Sequence, residues 1–589
     1  MTSHSGRYVM VMNGEIYNHA SLRAQLRTSG WRGHSDTETI LECISAWGLE
    51  KALQSAVGMF ALAVWDREGE RLFLARDRMG EKPLYYGKLG ASFAFASELK
   101  AMREFPGFAL EVDPTALGLY MRYGYVPTPH CIQRGFAKLR PGSWFEVSRA
   151  ELAGVELPTS KEYWSAMEVA TSGVRSPLRF DSDVRAVDAL EAVLSDAVAG
   201  QLMSDVPLGA FLSGGIDSST VVALMQTHSA QPVRTFSIGF HESEYDEAVQ
   251  AKAVARHLGT DHTELYVTSD SALEVIPTLP TIYDEPFADP SQIPTYLVAA
   301  MARQQVTVAL SGDGGDELFA GYNRYAWAAS VMPRVEKLPL PFRRGAAAGI
   351  ELLSPESWDR IAAAVNPVIS TKRRLRMSGD KLYKVATALR SRSGQNLYRD
   401  LVSHWVPESV VLELRGRVQS EEAAWPQLPD LAQQMMAMDA VTYLPDQILV
   451  KLDRAAMAVS LETRVPLLDH RVFEFAWRLP HNYKIRNGAG KWILRELLRR
   501  HVPDALTNRA KMGFAVPVSE WLRGPLREWA EELLSDTRLR REGFFDVASV
   551  RAKWNDHLSG RRSWPSHLWD VLMFQSWLET WTVHPASVR

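Results

Sequence analysis

The order of apolar and polar positions divides the chain into a strand-rich first part and a later part in which strands and helices alternate. In the first part, short apolar runs bounded by Gly, Asp and Asn are typical of strands, and they occur at residues 8–12, 59–65, 71–75 and 92–96. A Ser-capped apolar pattern at helical spacing predicts a helix over residues 35–47. These elements predict an α+β domain over residues 1–150, followed by a polar, proline-containing linker over 151–183.

From residue 184 the pattern changes, and apolar runs of strand length are separated by segments of helical spacing. Strands are predicted at 209–212, 234–240, 262–267 and 306–310, with helices over 218–227 and 246–258. Such alternation predicts a doubly wound parallel sheet, which binds ligands at the carboxyl ends of its strands, where strand order reverses. We expect this α/β domain over residues 184–535, helical from about 320, and a helical C-terminal extension over 536–589.

The segment 210–219, Ala-Phe-Leu-Ser-Gly-Gly-Ile-Asp-Ser-Ser, carries the first candidate site. A buried strand breaks at Gly214 and Gly215 and restarts as a helix, so backbone N–H groups and the helix N-terminus can cradle phosphate. The added hydroxyl donors are Ser213, Ser218 and Ser219. Asp217 suits such a cradle only beside a cation, which predicts a Mg²⁺-nucleotide site; a glycine turn with a capping Asp is the alternative. The loop lacks the lysine of a Walker A motif, which weakens kinase and GTPase interpretations.

A second segment, residues 308–322, has the same pattern as the first. The end of the strand predicted at 306–310 is followed by glycines that alternate with acidic residues. Asp313, Asp316 and Glu317 lie within five positions of one another, and the repulsion between their negative charges is unfavourable unless a cation balances them. An acidic helix N-terminus would explain them equally well alone, but beside the first loop a Mg²⁺ shared by Asp217 and Asp316 is the better explanation. The Ser-Gly-Gly-x-Asp-Ser pattern of the first loop resembles the pyrophosphate loop of the ATP-pyrophosphatase families, which implies cleavage of ATP between the α and β phosphates and adenylation of a substrate. Adenylation also requires a cation at the α-phosphate, and the candidates are Lys511, Lys451 and Lys491.

Composition and charge narrow the class of protein. At 589 residues the chain should hold roughly two to four domains. Its 46% hydrophobic and 23% charged residues are ordinary for a globular protein. A net charge of −3 argues against broad binding to nucleic acid or anionic membranes, and no apolar run approaches the ~18 residues of a membrane span. With only Cys43 and Cys131 and no signal-peptide pattern, we expect a cytoplasmic location.

Several strings together resemble the glutamine-dependent asparagine synthetase family over almost the whole chain. Besides the two loops, they are Asn-Gly-Glu-Ile-Tyr-Asn at 13–18, Ser-Asp-Thr-Glu at 35–38, Ala-Arg-Asp-Arg-Met-Gly-Glu-Lys-Pro at 75–83, Tyr-Leu-Pro-Asp-Gln at 443–447 and Arg-Ala-Lys-Met-Gly-Phe at 509–514. The resemblance implies an α+β glutaminase domain of the N-terminal nucleophile type, incomplete at its start. An α/β ATP-pyrophosphatase domain with a helical C-terminal part would follow it.

The resemblance also implies roles for individual residues. In the glutaminase domain, Asn13 and Gly14 resemble the oxyanion hole, and Glu15 and Asp36 resemble contacts to glutamine. The residues that resemble adenosine contacts are Leu212, Ile238, Ser311 and Gly312, and the loop 213–219 resembles the pyrophosphate loop. Asp217 and Asp316 resemble Mg²⁺ ligands, and Lys511 resembles the lysine that stabilises the adenylation transition state. Asp313, expected to be catalytic, stands where some members carry Glu.

One feature departs from the family. In the glutaminase domain of this family, the nucleophile is an N-terminal Cys that is exposed when Met is removed. The present sequence has no Cys at that position. A lost start, use of free ammonia, or a cyclisation like that of β-lactam synthetases and lasso-peptide cyclases would each explain this. The glutamine contacts at 13–15 and Asp36 favour a lost start, because a cyclase does not need them. We expect that the 589-residue chain itself does not hydrolyse glutamine.

These observations predict ATP-dependent amidation of an aspartate-like carboxylate through an acyl-adenylate, giving asparagine, AMP and pyrophosphate, with ATP and Mg²⁺ as cofactors. The expected partners are small molecules (ATP, the acid, and glutamine or ammonia), without nucleic acid or membrane, and a homodimer is among the expected assemblies. Two alternatives stay open. One is amidation or cyclisation of another carboxylate, such as a natural-product or cell-surface precursor; the other is a non-catalytic nucleotide-binding regulatory protein.

Overall fold

The computed structural model describes the chain except residues 28–29, 91, 153, 155–156, 241–247, 331, 336, 354–356, 359, 362–378, 417–423, 508–515 and 583–589. Its strands are β1 Tyr8–Ile16, β2 Gly58–Asp66, β3 Arg71–Arg76, β4 Tyr85–Leu89, β5 Ser92–Ala96, β6 Phe136–Lys138, β7 Ser143–Ser148, β8 Lys161–Glu162, β9 Leu208–Phe211, β10 Arg234–Phe240, β11 Asp261–Val267, β12 Val308–Leu310 and β13 Glu462–Arg464. The strands expected in both parts of the chain are present, with ends within a few residues of the predicted ones.

The first part of the chain contains two antiparallel sheets, ordered β1-β2-β3-β7-β8 and β5-β4-β6. Because successive side chains of a strand point to opposite faces, the side chains of β2 pack alternately into two apolar cores. Phe60, Leu62 and Val64 pack against the helix Asp36–Trp47, while Ala61 and Ala63 face the three-stranded sheet. This α+β arrangement agrees with the predicted class, and Ser35 caps the helix through the backbone N–H of Glu38 as expected. The incomplete start stays a prediction.

The second part is built on a parallel sheet ordered β11-β10-β9-β12-β13. The chain runs outward from β9 to β10 and β11, and then returns to place β12 on the other side of β9. Strand order therefore reverses between β9 and β12, which is where such sheets bind ligands. β13 was not predicted: its three residues, Glu-Thr-Arg, are too short and too polar to indicate a strand by pattern.

Helices surround these sheets. Those of seven or more residues are His19–Gln25, Asp36–Trp47, Leu49–Ser55, Pro114–Tyr123, Ala166–Arg175, Asp183–Gln201, Ile216–His228, Ala248–Leu258, Ser269–Val275, Gln292–Arg303, Asn323–Ser330, Leu340–Glu351, Gly379–Arg390, Gly394–Val402, Leu431–Val441, Leu449–Met457, His470–Arg478, Trp492–Leu498, Arg527–Leu533, Asp536–Glu542, Val547–Leu558 and Pro565–Thr582. The stretch 151–183, expected as a linker, includes β8 and the helix Ala166–Arg175. No described helix is both long and apolar enough to cross a bilayer.

One core joins the two parts of the chain. Tyr120 and Met121, on the helix Pro114–Tyr123, belong to the same apolar cluster as Trp569 and Trp577 on the helix Pro565–Thr582. The Tyr120 hydroxyl also donates to the carbonyl of Asp570 at 2.7 Å. The C-terminal helices are thus packed into the molecule, against residues of the first part.

Candidate functional site

The two glycine-rich loops meet at the point where strand order reverses. The first follows β9 and leads into the helix Ile216–His228, and the second follows β12. A Cβ atom on Gly312 would lie 2.5 Å from the backbone nitrogen of Ser218, so only glycine permits this approach of one loop to the other. The sequence pattern therefore produces one composite site from segments almost a hundred residues apart.

The first loop is arranged as an open turn at a helix N-terminus. Gly214 has a positive φ of 70°, and Gly215 stands at the N-cap position of the helix. The Ser213 and Ser218 hydroxyls lie 3.0 Å apart, and the backbone nitrogen of Gly215 donates to Ser213 Oγ at 3.3 Å. This geometry combines backbone donors, hydroxyls and the positive end of a helix, which together suit an anion.

Asp217 and Asp316 converge on one buried ammonium group. Lys491 Nζ lies 2.6 Å from Asp316 Oδ1 and also forms an ion pair with Asp217 Oδ2. Burial alone would lower the pKa of Lys491, but attraction to the two carboxylates outweighs it and raises the pKa. One positive charge is thus balanced against two negative ones beside the anion-binding turn.

A cavity of about 810 Å³ is lined by both loops and by Lys491. Its described lining includes most of the predicted nucleotide site: Leu212, Ser213, Gly214, Gly215, Asp217, Ser218, Ile238, Ser311, Gly312, Asp313 and Asp316. Ser219 is the exception, because it is fully buried and does not line the cavity. It lies one residue beyond Ser218 on the helix, a rotation of ~100° that turns its side chain into the core. We call this space the nucleotide chamber.

The acidic end of the chamber is formed by the second loop. Ser311 Oγ donates to Asp313 Oδ2 at 2.5 Å, and the Tyr322 hydroxyl donates to Glu317 Oε1 at 2.6 Å. Burial, reinforced by the nearby charge of Asp316, raises the pKa of Glu317 to about 7. Glu317 and Tyr322 also line the chamber, and the sequence analysis assigned neither of them a role.

The three lysines predicted as candidate cations differ in where they lie relative to the chamber. Lys511 lies outside the described residues, so its predicted role stays a prediction. Lys451 lines the chamber but is paired with Asp289 Oδ2 at 3.0 Å and with Ser291 Oγ at 2.8 Å. Lys491 is the cation that meets the predicted metal ligands. In the sequence, Lys491 is marked only by a Gly-x-Gly-Lys string, residues 488–491, directly before the helix Trp492–Leu498.

The donor set fits Mg²⁺ bound together with a nucleotide. Oxygen ligands suit this ion, which commonly takes one or two carboxylates from the protein and the rest from phosphate and water. In the described part of the chain, no three His, Cys, Asp or Glu side chains form a metal-binding group. Asp217 and Asp316 would hold the ion together with phosphate oxygens and water.

The predicted glutamine contacts gather at the end of β1. Gly14 has a φ of 140°, and a Cβ there would lie 2.0 Å from the carbonyl oxygen of Met59. Asn13 Nδ2 donates to Ser97 Oγ at 3.0 Å, and Asp36 Oδ2 accepts from the backbone nitrogen of Ile16 at 2.8 Å. Burial, and then the charge of Asp36, raise the pKa of Glu15 to about 7. The Glu15 and Asp36 carboxylates thus lie close enough to interact, and the ligand of the four residues stays a prediction.

Neither cysteine of the sequence is placed to act as a nucleophile. Cys43 is buried on the helix Asp36–Trp47, in the core beneath β1, and burial raises its pKa to about 12. Cys131 is buried in the core shared by the two parts of the chain, and burial raises its pKa as well. A thiolate is the reactive form of cysteine, so both environments suppress reactivity.

Comparison with known proteins agrees with this architecture. Residues 189–579 match the family described as asparagine synthase, and residues 1–164 match the family described as glutamine amidotransferase domain. A putative glutamine-hydrolysing asparagine synthetase of Mycobacterium tuberculosis is 36% identical over 98% of this chain and 85% of its own length. Asparagine synthetase 1 of Bacillus subtilis is 31% identical over 97% and 85%. A protein of Gibberella zeae named amidase chry2 is 29% identical over 91% and 81%.

The matches cover both parts of the fold and meet near the stretch expected as a linker. They join an amidotransferase domain to an ATP-using synthase domain in the order found in the structure. The chain therefore belongs to the glutamine-hydrolysing asparagine synthetase family, a family of carbon–nitrogen ligases.

Proposed function

We propose that the nucleotide chamber binds ATP and an aspartate-like acid and joins the acid to ammonia. The observation that carries this proposal is the convergence of Asp217 and Asp316 on Lys491, at the mouth of an anion-binding turn. The acid's carboxylate oxygen attacks the α-phosphorus, and the bond to the β-phosphate oxygen breaks. Acyl-AMP and pyrophosphate result. Ammonia then attacks the acyl carbon, AMP leaves and a proton is released, giving asparagine.

The described residues supply binding and charge for this sequence of steps. Leu212 and Ile238 offer an apolar wall for the nucleoside, and the turn at 213–218 offers N–H and hydroxyl donors for the leaving pyrophosphate. Lys491 places a positive charge beside Asp217 and Asp316, where phosphate charge must be balanced. Mg²⁺ held by these two carboxylates would neutralise further charge on the phosphates. Lys511 is proposed to stabilise the α-phosphate during attack.

Ammonia is the proposed nitrogen donor, and glutamine supplies it wherever a nucleophile completes the pocket around Asn13. The relatives named as glutamine-hydrolysing synthetases support glutamine as the source. Amidation of a different carboxylate is the second candidate, and the similarity to a protein named amidase chry2 is the observation that favours keeping it.

Product analysis tests the proposal. The chain is incubated with ATP, Mg²⁺, ammonium and aspartate, and the products are identified by mass spectrometry against a panel of other carboxylic acids. Asparagine, AMP and pyrophosphate in equal amounts are expected. ADP and phosphate would contradict cleavage at the α-phosphate, and a product formed only from another acid would transfer the proposal to that substrate. No acid-dependent ATP cleavage with any acid would favour a non-catalytic nucleotide-binding protein.

A further inference from the structure

A cavity of about 860 Å³ lies beside the nucleotide chamber and has no part in the reaction above. Its walls come from both family-matched parts of the chain, including Met79 and Tyr125 from the first and Tyr398, Trp425 and Tyr443 from the second. Small-molecule sites usually measure roughly 300–1,000 Å³ and often lie between domains. We call this space the interdomain cavity.

Paired aromatic rings form part of the wall of the interdomain cavity, beside polar side chains. The Tyr398 and Trp425 rings lie 5.6 Å apart, and the Tyr123 and Tyr125 rings lie 5.9 Å apart. Tyr125 lines the cavity and is only 5% exposed. Aromatic rings with a polar tip accept a planar apolar body and still offer a directed hydrogen bond.

The charged side chains in the described lining are mostly cationic. Among the described lining residues the arginines are Arg78, Arg140, Arg324 and Arg399, and the sole carboxylate is Glu162. Arg324 is neutralised by Asp439 at 2.7 Å, and Arg78 donates to main-chain carbonyls. The guanidinium of Arg140 is exposed and has no ion pair within the described chain. Arg140 thus offers a positive charge at the rim of the cavity, which favours a ligand with a negative group.

The interdomain cavity and the nucleotide chamber share part of their walls. Tyr443 lines both spaces, and the π-helical turn Leu444–Ile448 follows it directly. Asp446 in this turn accepts hydrogen bonds from the Thr128 backbone nitrogen at 2.8 Å and from Thr128 Oγ1 at 2.6 Å. π-helical turns occur frequently at functional sites. A ligand that moves Tyr443 would therefore act on both spaces.

We propose that the interdomain cavity binds one small aromatic anion per chain, and that this ligand and the nucleotide alter each other's affinity through Tyr443. The chemistry of the walls sets this class: aromatic faces for the body, and arginines for a carboxylate, sulfonate or phosphate group. The inference does not depend on the identity of the acceptor acid.

Binding of an anilinonaphthalene sulfonate, a fluorescent aromatic anion, tests the proposal on the full chain. Ala166→Trp fills the cavity, and Ala192→Trp on the exposed side of the helix Asp183–Gln201 is the matched control. The wild type and A192W should bind one equivalent, and A166W should bind at least about tenfold more weakly. Because A166W alters packing, Arg140→Glu provides a second variant at an exposed position. It should weaken the sulfonate but not an uncharged anilinonaphthalene.

Addition of ATP distinguishes the remaining outcomes. A saturable change in sulfonate affinity, matched by the same factor when ATP affinity is measured with and without sulfonate, supports coupling between the sites. Simple competition with ATP, with A166W still binding as A192W does, would place the probe in the nucleotide chamber and overturn the proposal. No saturable binding to the wild type would also overturn it. Binding that A166W abolishes but ATP leaves unchanged would overturn the coupling.

Discussion

At the scale of single residues, charge balance in the nucleotide chamber depends on Lys491. Its ammonium group is buried beside two partly buried carboxylates, so deleting it should cost more stability than deleting an exposed salt bridge. Removing one partner of a buried ion pair leaves an uncompensated charge, which typically costs ~3–5 kcal/mol.

Lys491→Met should therefore lower the free energy of unfolding by about 3 kcal/mol in the absence of Mg²⁺ and nucleotide, because Asp217 and Asp316 are left to repel each other. Urea unfolding followed by circular dichroism measures the change. Asp217→Asn in the Lys491→Met background should recover part of the loss, since it removes one of the two charges. A Lys491→Met protein as stable as the wild type would show that the pair is not formed.

Burial of Lys484 predicts that the stability of the fold depends on pH. It is fully buried, its ammonium group has no hydrogen-bond acceptor in the described part of the chain, and burial lowers its pKa to about 7. Between pH 7 and about 10 the unfolded chain binds a proton here that the folded chain does not. Stability should thus rise with pH across this window, by at most about 1.4 kcal/mol per pH unit, and should be lost as the pH falls toward 7.

Replacing Lys484 by Met should remove this dependence, while replacing the exposed Lys51 by Met should leave it unchanged. The measurement is the unfolding free energy at several pH values for the three proteins. An unaltered pH dependence in the Lys484→Met protein would mean that the amine is charged and paired in the folded state.

At the scale of elements, the contact between the two strand-end loops decides the geometry of the chamber. Gly312→Ala would place a methyl group 2.5 Å from the Ser218 backbone nitrogen, so the loops must separate. We expect acid-dependent pyrophosphate exchange to fall by about 100-fold while the fold is retained. Gly345→Ala is the matched control, because a Cβ there meets no atom within 4 Å and lies inside the helix Leu340–Glu351. It should gain ~0.5–1 kcal/mol of stability and keep full exchange; equal exchange in both variants would contradict the loop contact.

The loops were predictable, but some neighbouring elements were not. Strand–glycine–helix patterns indicate a local turn, and parallel strands bring their carboxyl ends to one edge, so the approach of Asp217 to Asp316 followed from pattern alone. β13 could not be predicted in this way. Its Glu-Thr-Arg sequence forms a strand because it pairs with the edge of β12. A short stretch of sequence does not contain this long-range pairing.

Lys491 was ambiguous for a related reason. A lysine beside glycine in a loop is more often a surface residue than part of a site, and only the fold places Lys491 between two carboxylates. Ser219 was assigned to the phosphate loop by its position in the motif, and helix geometry instead turns it into the core. Local patterns therefore indicated the loops, whereas side-chain direction and long-range pairing required the structure.

At the scale of the whole molecule, the two parts of the chain share a core, and the thiols lie within it or beneath β1. Neither Cys43 nor Cys131 reaches the polar group at Asn13, and burial raises the pKa of both. Both environments therefore disfavour a role of these two thiols as nucleophile.

We expect the polypeptide to form its amide from ammonium and to hydrolyse glutamine no faster than a Cys43→Ala, Cys131→Ala double variant does. Glutamate release from glutamine measures the hydrolysis, and amide formation with ammonium confirms that the preparation is active. Glutamine turnover in the wild type that the double variant loses would show that one of these thiols is the nucleophile.

The two strand-end loops are proposed to form one site in which ATP activates a carboxylic acid. Exchange of labelled pyrophosphate into ATP, measured with aspartate and without ammonia, tests this for the wild type and for Asp217→Asn. We expect aspartate-dependent exchange in the wild type and a loss of about 100-fold or more in the variant. Exchange that needs no acid, or that survives the substitution unchanged, would rule out such a site.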